Sequence, residues 1–329
     1  MTVQITIIGL GQIGTSAGLA LAEHTDLVFR VGHDRDIAIA HRAEKLGALD
    51  KVKLNLPAAA READLVLLSL PIDQIRETLE VIAPDLKEGA VVMDTGPVKE
   101  AVAAWAKELL PEERYYIGLT PVLNPAYLHE VSSGLEAAHP DLFRSGLIAI
   151  VSPPGTPSEA IKLAADLTRL LGSSPLFADP LEMDGLMAAT HILPQLMAAA
   201  LLNTTVGQPG WHEGRKIAGR AFAEATRPIV HAAEPKTLGV SAMLNRDNVL
   251  RMIDGIIASI QAIRNDIEKS DGAALEARLS RARQSQEEWW KQRLMASWAS
   301  ESVPQVETPS ASEMFGRLLG IGRKSKTNR

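Results

Sequence analysis

Short apolar runs alternate with amphipathic stretches through the first half of the chain. "VQITIIGL" (3–10) reads as a buried strand, and residues 12–23 as the helix after it. "LVFRVGHD" (27–34) is a second strand, with a helix near 36–47. "ADLVLLSL" (63–70) and "GAVVMDTG" (89–96) are a third and a fourth. They lead into helices at "PIDQIRETLEVIA" (71–83) and residues 97–109. "RYYIGL" (114–119) and "LIAIVSP" (147–153) supply two more strands. Alternation with short loops predicts an α/β fold with a doubly wound parallel sheet, covered on both faces. After residue 178 the period changes to 3.6, and long helices are predicted over 180–206, 212–233, 245–269 and 272–299. Pro194 falls inside the first and should kink it. The polar, proline-bearing stretch beyond residue 300 reads as a flexible tail. The expected organisation is a dinucleotide-binding domain at 1–178, a helical domain at 179–300 and a tail at 301–329.

The first strand runs directly into "GLGQIG", which places Gly9, Gly11 and Gly14 in the spacing G-x-G-x-x-G. A lone match is weak evidence. A strand before it and an amphipathic helix after it supply the confirming context for a Rossmann-type domain. Gly9 allows the tight turn, Gly11 lets the backbone approach a pyrophosphate, and Gly14 lets helix and strand pack closely. The helix N-terminus, with Gln12 and Ile13, then offers N–H groups and a positive dipole end to the phosphates. Asp34, at the end of the second strand, suits the adenosine ribose hydroxyls and repels a 2′-phosphate, which favours NAD. Arg35 beside it can pair with a 2′-phosphate, so NADP stays open. The plainer alternative is that Asp34 only caps the next helix. Ser69, Leu70 and Pro71 after the third strand, and Thr95 after the fourth, are further cofactor-binding candidates. Pro97 suits the start of the following helix.

Composition narrows the classes. The 329 residues allow two domains, and 46% of them are hydrophobic, enough for a sizeable core. The net charge of −6 argues against nucleic acid or an anionic membrane as partner. The absence of cysteine excludes disulfides, thiolate metal sites and thiol nucleophiles. No His-rich spacing suggests a metal site, and no Gly-x-Ser-x-Gly elbow appears. The N-terminus lacks a basic, apolar signal segment, and no uninterrupted apolar run reaches about 18 residues. A cytoplasmic protein without a membrane span is expected.

The second half carries Arg227 inside a predicted helix and the pair Asn245-Arg246 opening another. Arginine can grip a carboxylate through two parallel hydrogen bonds. With "GLGQIGTSAGLAL", "DTGPVKE", "SSGLEAAHPDLF", "FAEATR" and "NRDNVL", the chain resembles the prephenate dehydrogenase family, arogenate dehydrogenases included, over residues 3–270. The resemblance implies a Rossmann domain and a helical domain that forms a homodimer. It also implies NAD(P)-dependent oxidation of prephenate or arogenate, with loss of carbon dioxide, on the route to tyrosine. A small carboxylate substrate would be held by Arg227, with Asn245, Arg246 and Gln195 ordering its pocket.

The departures fall on the chemistry. The family's Gly-Gly-His-Pro-Met is "GLTPV" here, which puts Thr120 at the place of its histidine. Its Ser-His-x-Pro-His, aligned on Pro194, puts Ile192 and Gln195 at the histidine positions, with His191 one residue earlier. Hydride transfer from a ring alcohol needs its hydroxyl proton accepted, and histidine is the natural acceptor near neutral pH. Threonine cannot be that base, although its hydroxyl can orient a substrate oxygen. Three explanations stand side by side: His191 supplies the imidazole, Thr120 works with an ordered water, or the substrate is a related acid. A fourth is a dinucleotide-binding protein with little turnover. A β-hydroxyacid dehydrogenase should carry a lysine in the first long helix of its second domain, and none lies between residues 180 and 206. His129 and His139 read as surface loop residues, and His231 as a helix end.

Overall fold

The computed structural model describes residues 2–231 and 234–295, and the expected tail lies outside the described residues. The first half forms β1 (Val3–Ile8), α1 (Gln12–Ala20), β2 (Val28–His33), α2 (Ile37–Lys45), β3 (Lys51–Val52), α3 (Leu56–Ala60) and β4 (Leu65–Leu68). It continues through α4 (Ile72–Ile82), β5 (Val91–Asp94), α5 (Lys99–Leu109), β6 (Tyr115–Val122), β7 (Leu147–Val151), α6 (Ser158–Leu170) and β8 (Ser174–Ala178). These strands form one eight-stranded sheet in the order β3-β2-β1-β4-β5-β6-β7-β8. β4 and β5 lie at its centre, and every residue of both is buried. Val, Leu and Met fill them, with Asp94 at the end of β5, because helices cover both faces. Each such apolar side chain contributes about 1.5–3 kcal/mol of burial, offset largely by the ordering of the chain.

Three expectations need correction. The sheet is mixed, because β7 runs antiparallel to β6 while the other neighbours are parallel. A buried apolar run carries no sign of its direction, so the reversal was invisible in the pattern. β3, α3, α6 and β8 were not foreseen; β8 has an exposed Phe177 and a proline, the marks of an edge strand. Pro97 does not open a helix: α5 begins at Lys99, capped by extended Val98.

The described residues divide into two compact units, one up to Met183 and one from Asp184. The second contains helices only. α7 (Pro180–Met187) runs through a π-helical turn at Ala188–Ile192 into α8 (Leu193–Val206). Pro194 has no N–H and crowds the carbonyl four residues back, and the wider turn before it relieves that clash. The single helix expected over 212–233 is instead α9 (Trp211–Ile217), α10 (Arg220–Thr226) and α11 (Pro228–His231). Gly219 and Pro228 interrupt it. α12 (Pro235–Leu244), α13 (Arg246–Glu268) and α14 (Gly272–Met295) complete the unit. Its buried cluster gathers Ala188, Ile192, Leu238 and Val249. The segment Pro180–Val206, with mean hydropathy 1.5, is long and apolar enough to cross a membrane by length and composition, although polar residues interrupt its apolar run.

Candidate active site

Three loops meet at the carboxyl ends of the central strands, each fastened to the last carbonyl of a neighbouring strand. Gly9 N–H donates to His33 O of β2 (2.9 Å), Ser69 N–H to Ile8 O of β1 (2.8 Å), and Thr95 N–H to Leu68 O of β4 (3.0 Å). The step from strand to strand sets the glycine loop, residues 69–71 and Thr95 along one edge, where such sheets bind ligands.

The three glycines do different things. Gly9 has φ +91°, and a Cβ there would lie 2.3 Å from Ser69 O. A Cβ on Gly14 would lie 2.0 Å from Gly9 O, so α1 can approach β1 only without one. A Cβ on Gly11 would meet nothing within 4 Å. Open space therefore faces the backbone at the N-cap of α1. No side chain caps that helix, and no acidic residue stands in its first turn. Uncapped N–H groups, the positive end of the helix and room above Gly11 fit a pyrophosphate.

Asp34 is not the cap of α2. Asp36 fills that role, accepting from Ala38 N–H at 2.9 Å. Asp34 accepts from Leu10 N–H (2.8 Å) and Asp36 N–H (2.9 Å), which ties the glycine loop to the end of β2. Arg35 beside it is exposed.

Behind Thr95 lies a fully buried ion pair. Lys99 Nζ donates to Asp94 Oδ2 at 2.9 Å, and neither residue has any exposed surface. Tyr116 OH donates to Asp94 Oδ1 (2.5 Å), and Gly96 N–H to Asp94 Oδ2 (2.7 Å). Gly118 leaves room for the lysine stem, since a Cβ there would lie 2.7 Å from Lys99 Cδ. The carboxylate thus holds the β5–α5 loop in shape. Asp94 and Lys99 were visible in "DTGPVKE", but Tyr116 reaches them only through the pairing of β5 with β6.

Thr120 belongs to β6, one residue beyond the strand expected at 114–119, and is paired across to Ala149. β5 stops at its partner Gly118, so β6 runs on with one open edge, which accommodates Pro121 without an N–H. Thr120 is 7% exposed, and its Oγ1 is buried without a hydrogen-bond partner among the described residues. A buried hydroxyl left unmatched is costly.

Two sequence models of one family match, the nucleotide-binding domain of prephenate dehydrogenase over residues 17–174 and its dimerization domain over 179–281. The chain belongs to the prephenate dehydrogenase family. It is 29% identical over 272 residues to cyclohexadienyl dehydrogenase of Zymomonas mobilis, covering 82% of this chain and 89% of that one. It is 26% identical to the Bacillus subtilis prephenate dehydrogenase, covering 82% and 72%. Prephenate dehydrogenase of A. aeolicus, solved with hydroxyphenyl propionate and NAD+, shares the fold with TM-score 0.77 at 22% identity, covering 88% and 98%. Synechocystis arogenate dehydrogenase does so with TM-score 0.69 at 21% identity, covering 87% and 99%. Family membership makes the chain an NAD-dependent oxidoreductase, in keeping with the room above Gly11.

The candidate residues in the helical unit are spread over three junctions. His191 lies in the π-turn, and surrounding protein lowers its pKa by desolvation, although its surface stays open enough to water to temper the effect. Gln195 is buried, and its amide donates to His191 O at 2.7 Å, so the side chain is turned onto its own helix. Arg227 is not inside a helix but at the C-cap of α10, half-buried, with no ion pair among the described residues. Asn245 is 4% exposed and donates to Asp184 O at 2.7 Å while accepting from Asn248 at 2.9 Å, which locks the α12–α13 junction. Arg246 is exposed and paired with Asp247 at 3.2 Å.

His139 is no idle surface residue. Its ring stacks on Tyr127 at 4.1 Å, Glu130 lies 3.6 Å from its Nε2, and its N–H donates to Ser16 Oγ of α1. Asp141 accepts from Tyr127 OH and pushes that phenol up to about 12. The β6–β7 connection is thereby fastened onto the helix behind the glycine loop.

Proposed function

We propose that this enzyme oxidises prephenate, or its amino counterpart arogenate, with NAD and loss of carbon dioxide, on the route to tyrosine. The observation that carries the reading is the glycine loop: a strained Gly9, a close-packed Gly14 and a Gly11 that faces open space at an uncapped helix end. Gly9 to Gly14 with Gln12 and Ile13 would hold the pyrophosphate. Asp34 would exchange its Leu10 contact for the ribose hydroxyls, and Ser69, Leu70, Pro71 and Thr95 would border the rest. Arg35 has no ion pair among the described residues, so it can also meet a 2′-phosphate. When bound, the nicotinamide supplies the hydride acceptor. The names of the relatives support the substrate class.

For the chain's own chemistry, Arg227 would grip a substrate carboxylate, its guanidinium being unspent. Thr120 Oγ1 would orient the reacting hydroxyl or a water that takes its proton. His191, with its lowered pKa, is held neutral and able to accept a proton at pH 7. Asn245 acts by shaping its junction. A second reading, a related hydroxy acid as substrate, is favoured by one observation: a threonine stands where the family carries its histidine. We further infer domain roles for residues 1–178 and 179–300, a cytoplasmic setting, and a homodimer through the helical domain. The dimerization-domain match supports the last, as do exposed Leu250, Ile257, Ile260 and Ile267 on α13. Purified protein with NAD and NADP, each against prephenate and arogenate, tests the reading. Reduced nicotinamide should form with NAD and at least one of the two acids. No turnover in any combination overturns the proposal.

A further inference from the structure

A cavity of about 510 Å³ opens beside α5, at the amino end of β6. That is the opposite end of the sheet from the glycine loop, because Tyr115 pairs with Val91 at the start of β5. Its volume lies within the range of small-molecule sites. Ala103, Ala106, Leu110 and the Pro153–Pro154 pair give it an apolar lining. Two cations also border it, in different states. Arg114 is spent, donating to the carbonyls of Leu86 and Glu112. Lys107 is exposed and has no ion pair or hydrogen bond among the described residues. An apolar cavity with one uncommitted ammonium at its rim suits a small organic anion with an apolar body.

The cavity also touches the buried network. Tyr116 lines it and donates its hydroxyl to Asp94, whose other oxygen holds Gly96 N–H in the loop that follows β5. α5 links the same two places, with Lys99 at its start and Ala103 to Lys107 along the cavity wall. We propose that this cavity is an effector site for a small carboxylate with an apolar body, bound through Lys107, and that its occupancy is felt at residues 95–98 through Tyr116 and Asp94. A coupling claim needs an element that both sites bias, and the Tyr116–Asp94–Gly96 hydrogen bonds, which run from the cavity wall to the β5–α5 loop, would be that element. The proposal stands on the cavity itself and does not depend on the substrate assigned above.

The test is calorimetric titration of the full chain, saturated with NADH, with 4-hydroxybenzoate as probe and 4-hydroxybenzyl alcohol as its neutral counterpart. One equivalent of the acid should bind. Lys107→Ala should weaken it about tenfold, the loss of one charge-assisted contact. Ala103→Phe, which fills the cavity, should weaken it at least as much, while Arg227→Ala leaves it unchanged. Equal affinity in wild type and Lys107→Ala overturns the site, as does equal binding of the alcohol. Loss of binding in Arg227→Ala moves the probe to the substrate site and also overturns it. Hydrogen exchange in residues 93–102 should slow on binding in the wild type and not in Tyr116→Phe. An unchanged exchange in the wild type overturns the coupling. Neither readout requires turnover, so a failure here is separable from a failure of the substrate assignment.

Discussion

Adding one methyl group to each glycine of the loop separates binding from folding. In Gly11→Ala the new Cβ has nothing within 4 Å, and the residue is extended at φ −74°, ψ −159°, so alanine fits without strain. The apo protein should change by no more than about 0.5–1 kcal/mol, from the small difference between glycine and alanine at an N-cap. That is a melting shift of roughly 2–4 °C at most for a unit of this size. The methyl does occupy the space we assign to the pyrophosphate. Overpacking of that kind costs about 1–3 kcal/mol, so NAD affinity should fall roughly tenfold to a hundredfold. Gly14→Ala should show the reverse order of effects. Its Cβ would sit 2.0 Å from a backbone oxygen, and α1 must move off β1 to admit it. Gly9→Ala adds the positive φ to a 2.3 Å clash, so several kcal/mol of apo stability should be lost. Apo melting curves and calorimetric NAD titration of the three variants give both axes. Unchanged NAD affinity in Gly11→Ala would refute the placement of the cofactor, whatever the other two do.

Four further outcomes follow from the same geometry. Lys99→Met strands the buried Asp94 carboxylate and should cost about 3–5 kcal/mol in urea unfolding. Asp94→Asn/Lys99→Met, which removes both charges, leaves the amide oxygen to accept from Gly96 and turns the Tyr116 contact into one the amide donates, should recover much of that; a double variant as unstable as the single one contradicts the pairing. Thr120→Val removes a hydroxyl without a partner, so the fold should hold or gain slightly while turnover falls at least tenfold; full turnover removes Thr120 from the reaction. His191 titrates below the ordinary histidine value of 6.5, so the unfolded chain binds more protons as pH falls through that value. Its contribution is therefore complete above 6.5 and lost on acidification, and a wild-type stability slope there that survives in His191→Ala contradicts the assignment. Arg227→Ala should raise KM roughly tenfold or more without lowering the melting temperature, since the side chain has no ion pair among the described residues to lose; an unmoved KM for both acids separates Arg227 from the substrate.

The sequence disclosed what depends on local period and close-range geometry. β1, β2, β4 and β5 follow from short apolar-rich runs, of which only β4 is unbroken Val and Leu, and the glycine loop from its spacing between a strand and a helix. α6 was legible but not read: Ala160, Leu163, Ala164, Leu167 and Leu170 recur at helical spacing after Pro157. The breaks at Gly219 and Pro228 were legible too, as residues that stop helices. Other features depend on contacts far apart in the chain. Two-residue β3 has no run to detect. The direction of β7 leaves no trace in its composition. The role of His139 depends on Ser16, 123 positions away, and on a ring stack with Tyr127. The same limit applies to Gln195, whose position matched a family histidine while its amide turned back onto the helix.

The π-turn at Ala188–Ile192 alters how positions along that segment should be counted. One extra residue in a turn advances the helix phase by roughly 100° relative to a continuous α-helix. Asp184, upstream, and Ala198, downstream, therefore do not share the angular relation that their spacing implies. A residue one place off the expected column, as His191 is, owes its direction to the bulge as well as to its index. Removing a single residue at Thr190 would let the segment close into regular α-helix. It would also turn Asp184, whose carbonyl anchors Asn245, about a quarter-turn away from the junction it holds. The phase of this helix thus carries information that an ungapped comparison of "HILPQ" discards.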